Sequence, residues 1–373
     1  MNIKGLFSIG IADIVGTGIS ATFWFFLATM IEPNEFGEIF YFLGIAGIMS
    51  YISLIGTQNT IIVYVAKKIK IQSTLYLLSL IVAGISSIVI IMILYRVDVS
   101  LILLGYVINT LALGELLGKK LYISYSKYFL IQKILTLVLG FGFYYLFGIQ
   151  GIIFALALSY IVYIVRVYKG FKESKIDFSL LKSRKGFILN NYTIVLAQGS
   201  KQHLDKLIIA PLLGFSLLGN YALALQIMAL MFMFTTIVFK YTLAEDANGI
   251  PNKKLKAIAL IISVGVAILG IILSPIIIPE FFPKYVDTVD AIQIMSIGVI
   301  AATISSMYSS KFLGAEKSKF VIISKIISLI ILISGMIILG SILGMVGLAI
   351  SFVLASFAEA IALFLINLKL NLK

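Results

Sequence analysis

Cysteine is absent from this chain of 373 residues, histidine and tryptophan occur once each, and only 12% of the residues are charged. Without cysteine there is no disulfide and no thiolate metal site. With a single histidine, a metal would have to be held by carboxylates alone. A soluble domain carries roughly 25% charged residues, so a chain that is 61% hydrophobic has too little polar surface to cover a soluble globule. Also missing are a Walker loop, a dinucleotide-type glycine pattern and any metal-ligand spacing, which speaks against ATP hydrolysis. No cleavable leader is evident, because Met1-Asn2-Ile3-Lys4 runs straight into a segment long enough to span a membrane.

What is present is apolar sequence in spanning lengths. A membrane helix needs about 20 such residues. Twelve segments qualify, at about 8–31, 36–56, 73–94, 97–117, 128–147, 150–168, 188–212, 217–240, 255–277, 286–308, 320–339 and 343–367. The expected fold is an all-α polytopic membrane protein. Its net charge of +13 reads as loop lysines rather than as a nucleic-acid surface. Of 29 Lys and Arg, four fall in the body of expected spans (Lys133, Lys201, Lys206, Lys325), two (Arg96, Lys284) on one set of connections, and the rest on the other set or, as for Arg166 and Lys240, at the span ends next to it. The basic connections recur after every even-numbered span, so the positive-inside rule puts them and both termini in the cytoplasm, in a multi-pass protein of the cell membrane.

The chain is also built twice. Ser126-Lys127-Tyr128-Phe129-Leu130-Ile131-Gln132-Lys133-Ile134 reappears as Ser318-Lys319-Phe320-Val321-Ile322-Ile323-Ser324-Lys325-Ile326. Gly148-Ile149-Gln150-Gly151 matches Gly344-Met345-Val346-Gly347, and Phe36-Gly37-Glu38 matches Leu218-Gly219-Asn220. Six spans per half imply a parallel repeat about an axis along the membrane normal. The expected organisation is a six-helix bundle over 1–168, a basic cytoplasmic linker over 169–187 that lies on the membrane surface, and a second bundle over 188–373. Repeats of this kind place a pathway between packed bundles, so transport is expected rather than catalysis.

The seventh span is anomalous. It carries Gln198-Gly199-Ser200-Lys201-Gln202-His203-Leu204-Asp205-Lys206 before returning to an apolar run. A charge at the bilayer centre costs roughly 2.5–3.5 kcal/mol on insertion scales, so this segment must line water or pack on polar partners. Helical spacing puts Gln198, Lys201, Gln202 and Asp205 on one stripe, with His203 and Lys206 beside it. Lys201 and Asp205, four apart, are expected to neutralise each other and leave Lys206 as a net cation. The functional reading is a cationic wall for an anionic group such as a phosphate; the structural reading is an ion-paired anchor. Lys133 and Lys325 hold equivalent positions, either snorkelling to anionic lipid head groups or forming a symmetric vestibule. Asp13 in the first span either binds a coupling ion, H+ or Na+, or caps and pairs near the interface. No cofactor and no nucleic-acid partner is expected.

Asp205-Lys206-Leu207-Ile208-Ile209-Ala210-Pro211-Leu212-Leu213-Gly214, followed by Leu218-Gly219-Asn220-Tyr221-Ala222, resembles the seventh and eighth helices of polysaccharide (O-antigen type) flippases, a family of the multidrug/oligosaccharidyl-lipid/polysaccharide exporter superfamily. Pro33-Asn34-Glu35-Phe36-Gly37 and Gly56-Thr57-Gln58-Asn59-Thr60 extend the likeness into the first half. The resemblance implies two six-helix bundles around a central cavity and alternating access. It also implies a saccharide substrate on a polyprenyl phosphate or pyrophosphate carrier, with glycan-assembly enzymes as further partners. Lys201 and Lys206 are the residues it assigns to the anion. The chain departs from the pattern at Val63, where relatives often carry a basic residue before the position of Tyr64. A drug antiporter of the multidrug and toxin extrusion class shares the architecture but is expected to use intramembrane carboxylates for cations. Against Asp13 and Asp205 this chain sets Lys133, Lys201, Lys206 and Lys325, while Glu38, Asp98, Glu115, Asp287, Asp290 and Glu359 also fall within the bounds of other spans.

Overall fold

The structure, a computed structural model, describes residues 3–182, 184–247, 253–315 and 317–370; the side chains of 3–7, Gln198, Lys201, Lys240, Tyr241, Ala244, Glu245, Ala247 and Lys253 are outside that description. The described residues form helices joined by turns and short connections, with no strand. In order the helices are α1 (Ile3–Met30), α2 (Pro33–Leu54), α3 (Thr57–Ala66), α4 (Gln72–Leu94), α5 (Val97–Gly118), α6 (Tyr122–Phe147), α7 (Gln150–Ser159), α8 (Val162–Glu173), α9 (Ser179–Lys182), α10 (Lys185–Leu213), α11 (Phe215–Ala247), α12 (Lys253–Phe281), α13 (Thr288–Gly314) and α14 (Ser318–Lys369). Among the described residues ten helical segments are long and apolar enough to cross a membrane, with α7 and α8 counted together. The backbone of α14 leaves helical geometry at Gly344, so it is two spans, and α10 has the length but not the composition. Counted so, the spans number the expected twelve.

Two helices show small and hydroxyl residues inside and large aliphatics outside. In α4 the buried positions include Ser73, Thr74, Ser79, Ala83, Ser86 and Ser87 beside Leu75, Tyr76 and Ile90, while Ile81, Ile85, Ile88 and Met92 are exposed. In α12, Ser263, Ala267 and Ser274 are buried and Ile261, Ile268, Ile272 and Ile276 exposed. Small residues let helix backbones approach and hydroxyls bond across, while large aliphatics face lipid. The chain is a multi-pass membrane protein.

By packing, the chain divides into two compact units: Met1–Leu27 with Tyr41–Leu204, and Ala28–Phe40 with Asp205–Lys373. This division falls inside α10 rather than along 169–187, and it takes the α1–α2 turn into the second unit, because long helices pack one end differently from the other. In the first unit α5 is central, against α3, α4, α7 and α8. It buries Val99, Ile102, Leu103, Val107, Leu111 and Leu116 at helical spacing. In the second unit α13 takes that place, against α11, α12 and α14, burying Ile292, Met295, Val299 and Phe312. These are the fourth and tenth expected spans, equivalent under the sequence repeat.

The repeat is visible in backbone detail. Gly148 (φ 65°) and Gly344 (φ 57°) both hold the positive φ that L side chains avoid, at the turn between spans five and six and between eleven and twelve. The second glycine of each motif packs on the preceding helix: a β-carbon at Gly151 would lie 2.7 Å from the Phe143 carbonyl oxygen, and one at Gly347 would overlap the Leu339 carbonyl.

Two connections differ from expectation. The second span ends at Leu54, close to expectation, but the stretch after it is not a loop: the backbone turns through Ile55 (φ 48°) and Gly56 (φ 71°) and continues as the helix α3. The connection after the sixth span is shorter than 169–187, because α8 runs to Glu173, whose carboxylate pairs with Lys119 and, at 3.7 Å, Arg166. The rest of the connection is tied to the start of α4. The Ser73 and Ser174 hydroxyls meet at 2.6 Å, and Thr74 Oγ1 accepts the Asp177 N–H at 2.8 Å. Asp177 in turn accepts hydrogen bonds from the Ser179 hydroxyl and N–H, which hold its carboxyl below the usual carboxylate range.

Candidate functional site

Within the first unit, α10 runs antiparallel to α2 and α3. Tyr64 and Phe187 rings meet at 5.3 Å, Asn59 Nδ2 donates to Asn191 Oδ1 at 3.4 Å, and the Tyr192 hydroxyl donates to the Ile52 carbonyl at 3.4 Å. At Gly56 the two backbones meet directly: a β-carbon would lie 2.6 Å from both Ile188 O and Tyr192 N. Further along, two glycines on opposite helices each receive a ring. Gly47 of α2 lies under the His203 imidazole, where a β-carbon would sit 2.5 Å from Nε2; Gly199 of α10 lies under Tyr51, where one would sit 2.5 Å from Cγ. The Tyr51 hydroxyl then donates to Gln202 Oε1 at 3.0 Å, and the Tyr51 and His203 rings are 5.9 Å apart. The polar run is therefore positioned by α2. His203 is half-buried and Gln202 exposed. Gln198 and Lys201 are helical in backbone, and their side chains lie outside the described residues.

Asp205 and Lys206 follow on the same helix, in the second unit. Both are buried, at 7% and 9% exposure. Lys206 Nζ donates to both Asp205 oxygens, at 2.8 and 3.0 Å, and the Lys206 N–H donates to Oδ1 at 2.8 Å. Lys206 is thus ion-paired with Asp205 through both side chain and backbone; the Lys201 side chain, expected to neutralise Asp205, lies outside the described residues.

Asp13 is half-buried on α1, and its carbonyl accepts the Thr17 hydroxyl at 2.7 Å. Its helix packs on α6: the Ser8 and Ser126 hydroxyls bond at 2.9 Å, and Gly16 lies beneath Phe129 and 3.3 Å, as a β-carbon, from Lys133 Cγ. The two repeat-related lysines have different surroundings. Lys133 is half-buried with Nζ 5.3 Å from the Phe129 ring centre, whereas Lys325 is exposed.

Sequence reasoning missed a buried carboxylate. Glu115, in α5, is fully buried and is bound by the Tyr76 hydroxyl (2.9 Å), Arg166 Nη2 (2.7 Å) and Lys119 Nζ (2.6 Å). The Glu115/Lys119 spacing was the available signal; Arg166 and Tyr76 are distant in sequence. A second such group, Asp246 with Lys256 (2.8 Å) and the Ser310 hydroxyl (2.6 Å), lies where α11 continues beyond its expected end. Among the described residues no cluster of three or more His, Asp or Glu is placed to hold a metal.

No protein-family model and no curated protein sequence matches the chain. Solved structures do. An inward-facing multidrug resistance MATE family transporter of the MOP superfamily is 17% identical, with TM-score 0.71 over 95% of this chain and 93% of that one. The lipid II flippase MurJ, in an inward closed conformation, is 14% identical, with TM-score 0.79 over 97% and 87%. A MOP superfamily transporter from Pyrococcus furiosus, described as having a binding pocket of reverse polarity that suggests a different function, is 17% identical with TM-score 0.64 over 98% and 95%. The fold is that of MOP superfamily transporters, and these structural neighbours are transporters and flippases, not enzymes.

Proposed function

We propose that the protein is a non-enzymatic flippase that moves a saccharide linked to a polyprenyl phosphate or pyrophosphate across the cell membrane by alternating access, for export of a surface polysaccharide or glycan. The observation that carries this reading is the pairing of Asp205 with Lys206 in a helix of membrane-crossing length. With Asp205 occupied, the polar run of α10 offers a cationic drug no lone carboxylate, while Lys201 adds positive charge to the same helix. Gln198, Gln202 and His203 supply hydrogen-bonding capacity for the polar head, which cannot cross hydrocarbon unaided. Asp13 is the residue assigned to a coupling ion, H+ or Na+. The basic connections and both termini are assigned to the cytoplasm.

The test is reconstitution in proteoliposomes with a fluorescent polyprenyl-pyrophosphate saccharide, following access to the head group from the opposite leaflet. Protein-dependent flipping that Lys201→Ala abolishes, with protein level and topology intact, is the expected result. Flipping at the wild-type rate in that variant would remove Lys201 from the site. No flipping, together with ion-driven movement of an organic cation that Asp13→Asn stops, would replace the assignment with an antiporter of the multidrug and toxin extrusion class.

A further inference from the structure

Away from α10, the basic end of the first unit contains a cleft of ≈ 440 Å³ between the ends of α3 and α5. Four ammonium groups, from Lys68, Lys70, Lys119 and Lys120, line it against one carboxylate, Glu173, with Gln72 beside it. That carboxylate is engaged by Lys119 and Arg166, and Gln72 Nε2 approaches it at 3.5 Å. Lys68, Lys70 and Lys120 are exposed and form no ion pair among the described residues.

The two helix ends that form the cleft are closed in the same way. At α3, Lys68 N–H donates to Val65 O (2.9 Å) and Ile69 N–H to Tyr64 O (2.9 Å). At α5, Lys120 N–H donates to Leu117 O (3.0 Å) and Leu121 N–H to Leu116 O (2.9 Å). Each is a Schellman ending, and its left-handed residue is usually glycine. Here both left-handed residues are lysine, each at φ 58°. A β-branched or long side chain has no backbone reason to be there, since glycine would close the turn without strain. Two strained lysines on one cleft mark a place where the side chain matters more than the turn. Gly118 brings the ends together: a β-carbon there would lie 2.9 Å from Val65 Cβ and 3.0 Å from Ile62 O.

We propose that this cleft binds a phosphate-bearing anionic group, held by Lys68 and Lys120 and flanked by Lys70. Basic pockets between membrane helices bind anionic head groups in this manner. The chemistry is that of a phosphodiester or diphosphate, carried either by a membrane lipid or by a soluble compound. The site is separate from α10 and does not depend on the flippase reading.

The experiment measures lipid retained by the purified full-length protein in native mass spectrometry, after exchange from mixed phosphatidylglycerol and phosphatidylcholine. The Lys68→Gly/Lys120→Gly variant keeps both turns in the glycine-preferred geometry, so it folds at least as well as wild type. Wild type is expected to retain phosphatidylglycerol preferentially, and the variant to lose on the order of tenfold in apparent affinity. Lys127→Gln/Lys319→Gln, an equal charge loss elsewhere, is expected to retain it. Inorganic pyrophosphate that raises the melting temperature of wild type but not of the glycine variant, with no lipid retained, would identify the ligand as soluble phosphate. Equal retention in wild type and glycine variant, or equal loss in the control, would overturn the proposal, as would the absence of both lipid retention and a pyrophosphate effect.

Discussion

Removing the ammonium of Lys206 separates an ion-paired anchor from a substrate cation. In the structure Asp205 is 7% exposed and both of its oxygens accept from Lys206 Nζ. Lys206→Ala removes the ammonium from which both oxygens of this buried carboxylate accept, and breaking a buried pair in this way costs about 3–5 kcal/mol. Unpairing both sides at once does not: a neutral pair of similar volume is close to neutral in stability. Asp205→Asn/Lys206→Met should therefore recover most of what Lys206→Ala loses. A domain of 150–250 residues shifts by about 2–4 °C per kcal/mol, so a 3 kcal/mol loss corresponds to about 6–12 °C in thermal midpoint. The assay is thermal unfolding in detergent of wild type, both single variants and the double variant, run as a cycle. Flipping by the same four proteins then divides the roles. A double variant that is stable but inactive assigns the pair to substrate, and one that is stable and active assigns it to anchoring. Lys206→Ala with the thermal midpoint of wild type would refute the buried-pair reasoning outright.

Tyr76→Phe, which removes the hydroxyl bound to fully buried Glu115, should cost about 1.5–3 kcal/mol, the range for a hydrogen bond to a charged group. Glu115→Gln should cost more, moderated by the partial exposure of Arg166 and Lys119; a Glu115→Gln protein at least as stable as Tyr76→Phe by thermal unfolding would contradict the network. Gly344→Ala forces a β-carbon onto a backbone at φ 57° and should cost about 1–2 kcal/mol, whereas alanine at Gly142, which has open space around its α-carbon, should gain from helix propensity. The two melting temperatures should move in opposite directions.

The spans were legible because lipid imposes a length and an apolar composition on every crossing helix. Turns were legible where glycine marked them. The Lys206 pairing was not, because spacing rules look three or four residues away along a helix, whereas the Asp205 carboxylate folds onto its immediate neighbour's N–H and ammonium. Glu115 escaped because its partners on α4 and α8 come together only through packing. The role of α2 in holding α10 rests on Gly47 and Gly199, and nothing in a lone glycine says which ring will lie over it. The Schellman ends at Lys68 and Lys120 read from sequence as ordinary loop charge; only the left-handed backbone separates them from the other basic connections.

The repeat duplicates backbone more faithfully than chemistry. Gly148 and Gly344 turn alike, and α5 and α13 are each central to their units. Lys133 and Lys325 come from the most similar stretch of the two halves, yet one leans over Phe129 beside Gly16 and the other is exposed. Lys119 and Lys311 likewise sit seven residues before the matching Ser126 and Ser318; one pairs with Glu115, the other donates to Asn367 Oδ1 at 2.7 Å. Helix packing constrains glycines and small residues in both copies, because a β-carbon in the wrong place collides in either. Polar side chains are free to diverge wherever a new partner satisfies them. The polar run of α10 has no counterpart in α1, so the first spans of the two repeats, equivalent by position, are unlike in chemistry.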